Sequence, residues 1–443
     1  MIFTLSEFAA ACAGEMLGPD CALSSACIDS RKAVPGSLFF ALQGSRADGH
    51  DFVDNAMSAG ARAVVSRSGW SSGVILVRSV QAAMLEGSSA MRSRLRIPVI
   101  AVTGSSGKTT TREMIRTALS PVLDASSSRG NLNNALGLPL SILNLPPEAQ
   151  AAVFELGMNS AGELTALGRV VRPDCTVVTN VGTAHIEFLG SRDGIAEAKA
   201  ELLSQTSTSG FCVIPAGEPI LERAATQRGL EILRAGPGGD VWLEQDDGRT
   251  RVMPWGSALK LSVEGRHNYD DALLAMAVAW KFGVPVEKAA AALEGFTAVA
   301  GRGAVVSSGG MTILDESYNA NPESMTACLE VLGSRPGRRI AVLGDMLELG
   351  ERSRALHEEL LRTADSMGID RLILVGRRFG EAAAVMTRTC FACVGGWRDV
   401  LPLLVGEQGP CTVLVKGSHA MQLDLLVNAL RPEEKCSTGC CIR

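Results

Sequence analysis

The stretch Ile100-Ala-Val-Thr-Gly104-Ser105-Ser106-Gly107-Lys108-Thr109-Thr110-Thr111 constrains this chain more than any other, because it passes from a β-branched strand through two glycines directly into a helix start. The glycines allow backbone N–H groups to turn against a polyphosphate. Lys108 adds a point charge, and Thr109 can offer its hydroxyl to a magnesium ion at the helix N-terminus. The general phosphate-loop spacing wants glycine at position 102, where Val102 stands, so the pattern here is the shorter Gly-x-x-Gly-Lys-Thr. The plain alternative is a glycine turn that only opens a helix. Met114, Ile115, Ala118 and Leu119 give that helix an apolar stripe.

A chain of 443 residues is too long for one ordinary core. Its aliphatic, Ala- and Gly-rich composition with few aromatics suits an α/β protein of stacked βαβ units. Two to four domains are expected, and the chain reads as a small substrate-holding domain over 1–88, a long α/β segment that carries the cradle over 89–299, and a third unit over 300–443. The net charge of -5 argues against a general binder of nucleic acid or anionic membrane. No apolar run reaches the length of a membrane span. Glu7 interrupts the only apolar stretch at the N-terminus, and no basic leader precedes it, so no signal peptide is expected. The twelve cysteines are scattered and fit free thiols in a reducing cytoplasm. Cys390-x-x-Cys393 reads either as half of a metal or redox site or as ordinary packing, and the Cys436, Cys440, Cys441 tail as a frayed end.

Asp29-Ser30-Arg31 and the turn from Gly44 to Gly49 offer a diphosphate or sugar contact, or only a surface turn with an incidental arginine. The run Ala151 to Glu155 is a buried-strand pattern ending in a carboxylate, the position from which an NTPase reaches magnesium beside its phosphate loop. A strand-terminal glutamate can equally be a solvated end. The strand from Cys175 delivers His185 into the following loop, as a metal ligand or as a satisfied polar residue.

In the helix expected over Asp193 to Leu203, Ile195, Lys199 and Leu202 share one face while Glu197 and Glu201 point elsewhere. Lysine on an apolar face either snorkels to the surface or is desolvated. Desolvation lowers a lysine pKa, and a neutral amine can capture carbon dioxide as a carbamate, turning a cation into a metal-binding carboxylate.

From Arg302 a third unit opens with the strand Met311 to Leu314 and the polar run Asp315 to Pro322. Strands at Ile340 to Leu343, Leu372 to Val375 and Thr412 to Lys416 alternate with helices near Ser353 to Met367 and Met421 to Leu430, which predicts a parallel, doubly wound sheet. The turns Gly344-Asp345-Met-Leu-Glu348 and Gly417-Ser418-His419 follow strand ends, where such sheets place ligand contacts.

With these residues together, the chain resembles the Mur ligase family over nearly its whole length. The general motifs are Thr103 to Thr110, Gly130-Asn131-Leu-Asn133-Asn134, Glu155 to Asn159, Ala184-His185-Ile-Glu187, Ala198-Lys199-Ala-Glu201 and Gly265-Arg266-His267-Asn268. The run Ser317-Tyr-Asn-Ala-Asn-Pro322 is similar to that of the branch that joins D-alanyl-D-alanine to UDP-N-acetylmuramoyl-tripeptide; Gly344 to Gly350 and Val415 to Ser418 agree. Ser160 and His419 depart from the histidine and arginine of many relatives, so no contact is carried over to them. A folylpolyglutamate synthase would share the cradle and the lysine but lack the Tyr-Asn-Ala-Asn-Pro run. A degenerate, non-enzymatic relative should have lost some of Lys108, Glu155, His185 and Lys199, and all four are present.

The resemblance implies a central phosphate-loop ATPase domain, a C-terminal Rossmann-like domain and an N-terminal domain for the UDP end of the substrate. It implies a cytoplasmic monomer that forms an acyl phosphate with ATP and then an amide in peptidoglycan synthesis. Two magnesium ions are expected, one held by Thr109 and Glu155, the other by His185 and a carbamylated Lys199. Lys108 would stabilise the transferring phosphoryl group; Gly104 to Thr110, Asn268, Arg302 and Glu316 would hold ATP, with Asn268 at adenine, Arg302 at the γ-phosphate and Glu316 at the ribose. Asp29, Ser30 and Arg31 would face the UDP-sugar, and Asn319, Asn321 and Asp345 the dipeptide.

Overall fold

The computed structural model describes residues 2–128, 130–386, 391–405, 407 and 409–431. The chain divides into two compact units, the first made of Met1–Val181, Ala196–Lys260 and Asp271–Leu293, the second of Gly182–Ile195, Leu261–Asp270 and Glu294–Arg443.

In the first unit the chain builds a five-stranded sheet in the order Glu15–Leu17, Val74–Leu76, Arg62–Val65, Ser37–Phe40, Ser25–Cys27, parallel except where Glu15–Leu17 pairs with Val74–Leu76. Phe8 fills its core, 5.8 Å from Phe3 and 5.7 Å from Phe40 between ring centroids. The helix Val80–Ser93 meets Phe8 through Gly87, where a Cβ would stand 2.2 Å from the ring. This helix runs through residue 88: Val80, Ala83, Met84 and Met91 pack into one core with Phe8, Leu140 and Leu143, and Arg92 donates to the Val171 and Arg172 carbonyls.

A six-stranded, wholly parallel sheet follows in the order Glu231–Ala235, Phe211–Pro215, Cys175–Val178, Val99–Thr103, Ala151–Glu155, Ala125–Ser127. Val99–Thr103 and Ala151–Glu155 are buried at every residue, as strands covered on both faces must be. Strand order reverses around Val99–Thr103, so the crevice where such sheets bind ligands opens at its C-terminal end. The sequence reading passed over an antiparallel three-stranded sheet, Trp242–Asp246, Arg249–Met253 and Ser257–Leu259. Its first turn is Asp247-Gly248, both with positive φ, the geometry that a two-residue hairpin demands.

In the second unit the sheet order is Ala304–Ser308, Met311–Glu316, Cys411–Lys416, Arg338–Gly344, Arg371–Val375, Phe391–Val394. It is parallel apart from the antiparallel edge strand Ala304–Ser308, joined through Gly309-Gly310. Alternation sends Ala341 and Leu343 into the core under helices Pro322–Ser334 and Ser353–Ser366, and Ile340 and Val342 into the core under Trp397–Val405 and Leu423–Leu430. The expected doubly wound arrangement is present. Among the described residues no helix is long and apolar enough to cross a membrane. The described cysteines are free thiols; Cys390, Cys436, Cys440 and Cys441 lie outside the described residues.

Candidate active site

Strand Val99–Thr103 ends at Gly104, whose φ of +152° and contact with Thr179 leave no room for a side chain: a Cβ would come within 1.8 Å of the Thr179 hydroxyl oxygen. Gly107 caps the helix Lys108–Leu119 at φ +76°, and a Cβ there would lie 2.5 Å from an Asp271 oxygen. Both glycines are therefore required by position as well as by turn geometry. The loop between them is fixed from the adjoining strand end: the Ser105 N–H donates to the Asn180 carbonyl at 3.2 Å and the Ser106 N–H to its side-chain oxygen at 2.9 Å. Thr111 donates to Asp271 at 2.9 Å from inside the helix. Lys108 lies across the loop with its ammonium 2.8 Å from the Gly104 carbonyl.

Glu155 is buried, which removes the reading of a solvated strand end. The Thr109 hydroxyl donates to one of its oxygens at 2.6 Å, Arg112 approaches the same oxygen at 3.3 Å, and the Asn133 amide donates to the other at 2.8 Å. Arg112 also donates to the Gly130 carbonyl at 2.9 Å, tying the Gly130 to Asn134 segment to the carboxylate. A hydroxyl and a carboxylate beside a phosphate loop are the donors a magnesium ion takes together with substrate phosphates. Among the described residues no three His, Cys, Asp or Glu side chains gather into a metal cage of their own.

Lys199 sits on the helix Arg192–Leu203 between Ile195 and Leu202, all three fully buried, so it does not snorkel. Its amine has no hydrogen-bond partner among the described residues. Desolvation, with the charge of Lys108 adding to it, lowers its pKa to about 7. Glu197 is exposed, and Glu201 accepts from the Gly162 and Thr165 N–H groups, both as expected for the other faces.

On the N-terminal sheet Asp29 caps the short turn Ser30–Lys32 and receives the Arg31 guanidinium twice, each at 2.9 Å. Those hydrogen bonds hold the Asp29 carboxyl down at about 2, while the Arg31 side chain stays 88% exposed.

In the second unit His185 adopts φ +64° ahead of the turn Ile186–Leu189, its Nδ1 2.6 Å from a Glu348 oxygen. A cavity of about 390 Å³ is lined by Glu264, His267, Glu316, Cys328, Val331 and Arg335 among others. Burial, and then the charge of Lys416, pushes His267 down to about 4, so it is neutral; burial pushes Glu316 up, against the pull of Lys416 at 3.8 Å. Asn268 adjoins this cavity with its amide donating to the Glu264 carbonyl at 2.5 Å. Arg302 stacks its guanidinium 3.8 Å over the Tyr318 ring, and His419 lies 5.6 Å from the same ring. Ser160, the other departure, bonds Glu163 at 2.6 Å.

Of the three acceptor-side residues, Asn319 is exposed and its carbonyl takes the Lys416 ammonium at 3.0 Å. Asn321 caps the helix Pro322–Ser334 through a reciprocal box with Ser324. Asp345 is buried, and its two oxygens accept the Arg378 and Phe379 N–H groups at 3.0 and 2.9 Å. The structure thus joins Gly104 to Thr110, Glu155, Asn133 and Asp271 in one place, and His267, Glu316 and Lys416 in another. Sequence reasoning gave no individual role to Arg112, Asp271, His267, Lys416 and Glu348, although the Thr-Thr-Thr-Arg run, the His267-Asn268 pair, the Gly344 to Glu348 turn and the Val415 to Ser418 run carried signal for all but Asp271.

The family model for the Mur ligase middle domain matches residues 102–279, that for the Mur ligase glutamate ligase domain 301–419, and that for the Mur ligase family catalytic domain 23–102. The Escherichia coli protein named UDP-N-acetylmuramoyl-tripeptide--D-alanyl-D-alanine ligase is 34% identical, across 98% of this chain and 99% of its own length. The chain belongs to the Mur ligase family. Its three-domain architecture is that of the family's solved members: MurF from Acinetobacter baumannii superposes with a TM-score of 0.88 at 31% identity, covering 97% of this Mur ligase and 99% of that chain. The MurF ligase from Thermotoga maritima, solved in complex with ADP, gives 0.80 at 28% identity over 92% and 96% of the two chains.

Proposed function

We propose that this Mur ligase joins D-alanyl-D-alanine to UDP-N-acetylmuramoyl-tripeptide in peptidoglycan synthesis, forming the UDP-linked pentapeptide, ADP and phosphate, as a cytoplasmic monomer. The near full-length identity to a ligase of that name carries the reading. In the first step a terminal carboxylate oxygen of the tripeptide takes the γ-phosphoryl group and the bond to ADP breaks. In the second the dipeptide amine attacks the acyl carbon, phosphate leaves with its electron pair, and the amine proton is lost.

The chain's own residues suit this chemistry, since phosphoryl transfer asks for positioning and charge neutralisation. The loop Gly104 to Thr110 presents N–H groups to the phosphates, and Lys108 leaves its internal contact with Gly104 to meet the transferring group. Thr109 and Glu155 are the ligands proposed for one magnesium, His185 and a carbamylated Lys199 for the second. Magnesium supplies charge neutralisation and Lewis acidity at the phosphoryl oxygens. Lys199 supports the carbamate by its buried amine, which is largely neutral a little above pH 7 and so is available to carbon dioxide. Asn268 is proposed at adenine, Glu316 at the ribose and Arg302 at the γ-phosphate. Asp29, Ser30 and Arg31 are proposed at the UDP-sugar, and Asn319, Asn321 and Asp345 around the dipeptide, the last two through the backbone they hold in place.

The test is phosphate release with ATP and UDP-N-acetylmuramoyl-tripeptide, with and without D-alanyl-D-alanine. Release that depends on both, with the pentapeptide as product, is expected. Release with the tripeptide and another amine in preference to the dipeptide overturns the assignment.

A further inference from the structure

The loop that carries His185 is held by two glutamates of the C-terminal half of the chain. The Thr183 N–H donates to one Glu323 oxygen at 2.8 Å, and its hydroxyl donates to the other at 3.1 Å. Gly182 lies so close beneath that a Cβ would stand 3.1 Å from the Glu323 carboxyl carbon. Glu323 stands in the first turn of the helix that Asn321 and Ser324 cap. Further along the loop, the Glu187 N–H donates to the Glu348 carbonyl at 3.4 Å, and Gly350 abuts Glu187. Between these two moorings His185 takes the left-handed conformation, and so does Glu348, at φ +64° and +61°. Non-glycine residues hold such angles only where their surroundings impose them.

Their side chains meet with Nδ1 of His185 2.6 Å from Oε2 of Glu348. At this distance a lone pair on Nδ1 would face a carboxylate oxygen, which is repulsive. A proton on Nδ1 makes the contact attractive. The neutral ring is therefore held as the Nδ1–H form, with its lone pair on Nε2.

We propose that Glu348 is the positioning residue for His185: it selects the Nδ1–H tautomer and so presents Nε2 as the electron-pair donor, while Glu323 fixes the loop that carries the ring. The proposal rests on the reading of His185 as a magnesium ligand. Carboxylates commonly play this part behind ligating histidines, and their loss weakens metal binding by about 10–100-fold.

Two measurements on the full-length protein separate the proposal from the reading beneath it. At a pH where the ring is neutral, long-range nitrogen-15 spectra of the histidine side chains, assigned by comparison with His185→Gln, should show His185 as the Nδ1–H form. Glu348→Ala should move it towards the Nε2–H form preferred by free imidazole, and Glu348→Gln, whose amide oxygen still faces Nδ1, should retain Nδ1–H. An unchanged His185 signal in folded Glu348→Ala overturns the proposal. Manganese(II) titration followed by electron paramagnetic resonance, with ADP and bicarbonate present, should show an affinity about tenfold weaker in Glu348→Ala and a smaller loss in Glu348→Gln. A shifted tautomer with unaltered manganese affinity also overturns the positioning role. Unaltered affinity in His185→Gln instead overturns the ligand assignment and leaves the tautomer result standing.

Discussion

Thr109 and Glu155, 46 residues apart in sequence, meet across a 2.6 Å hydrogen bond at the ends of two adjacent structural elements. The strand Ala151–Glu155 pairs with Val99–Thr103 in parallel, Glu155 opposite Val102, so its carboxylate arrives beside the first turn of the helix that the cradle opens. Thr109→Val keeps the shape and deletes the hydroxyl. Phosphate release should fall by about 10²-fold or more at limiting magnesium and recover in part at high magnesium, because a metal contact is lost while the cradle remains. Thr109→Ser should stay near the parent, and equal loss in both variants would refute the hydroxyl's role.

Lys108 is half-buried at the first position of its helix, where its ammonium meets the Gly104 carbonyl of its own loop at 2.8 Å. Lys108→Ala should abolish ATP-dependent turnover with little change in melting temperature. Near-normal phosphate release by the folded variant would show that another cation meets the transferring group.

Lys199 ties stability and activity to pH in a definite direction. Its pKa is about 7 in the folded chain against the ordinary lysine value of 10.5, so between those values the unfolded chain binds the extra proton. The cost of burying the amine is therefore largest below pH 7 and diminishes as pH rises towards 10.5, at up to about 1.4 kcal/mol for each pH unit. Lys199→Met should stabilise the chain in carbon dioxide-free buffer by more at pH 6 than at pH 9, as measured by urea denaturation. In the parent, activity in limiting bicarbonate should climb through pH 7 as the neutral amine becomes available. Lys199→Ala should be inactive and regain some activity with added small carboxylates, whereas Lys199→Arg should remain inactive; full activity in Lys199→Arg would remove the carbamate from the mechanism.

How much of this was legible beforehand follows from how local each determinant is. The cradle could be read because Gly104, Gly107, Lys108 and Thr109 form one short run whose roles depend on one another. Lys199 could be read because helical periodicity alone places it with Ile195 and Leu202. Partners brought in by tertiary folding left no such trace: Asp271 reaches Thr111 from 160 residues away, and Lys416 reaches the Asn319 carbonyl from 97. The Asp247-Gly248 hairpin was available in the sequence, but its strands are short and largely polar, so the pattern of alternation was weak. The helix Val80–Ser93 could be read because its apolar residues recur at helical spacing, and Val80, Ala83, Met84 and Met91 are buried.

Asp345, proposed at the dipeptide, has a carboxylate that is already engaged by backbone N–H groups. It ends the strand Arg338–Gly344, where parallel sheets place contacts, yet both carboxylate oxygens are occupied by the Arg378 and Phe379 N–H groups of the helix Arg377–Ala382. Gly376, at φ +112°, leaves space for that carboxylate, since a Cβ would stand 2.5 Å from it. Asp345→Ala exposes two donors in a buried place and should cost about 1–3 kcal/mol for the unsatisfied groups. Asp345→Asn retains one acceptor and should cost less. If Asp345 acts through this backbone grip, both variants lose stability in that order, and the KM for the dipeptide rises only as far as the loop loosens. If the carboxylate instead contacts the dipeptide directly, Asp345→Asn would raise that KM steeply at nearly unchanged stability. Urea denaturation and dipeptide KM measured on the same two proteins therefore discriminate between support and contact.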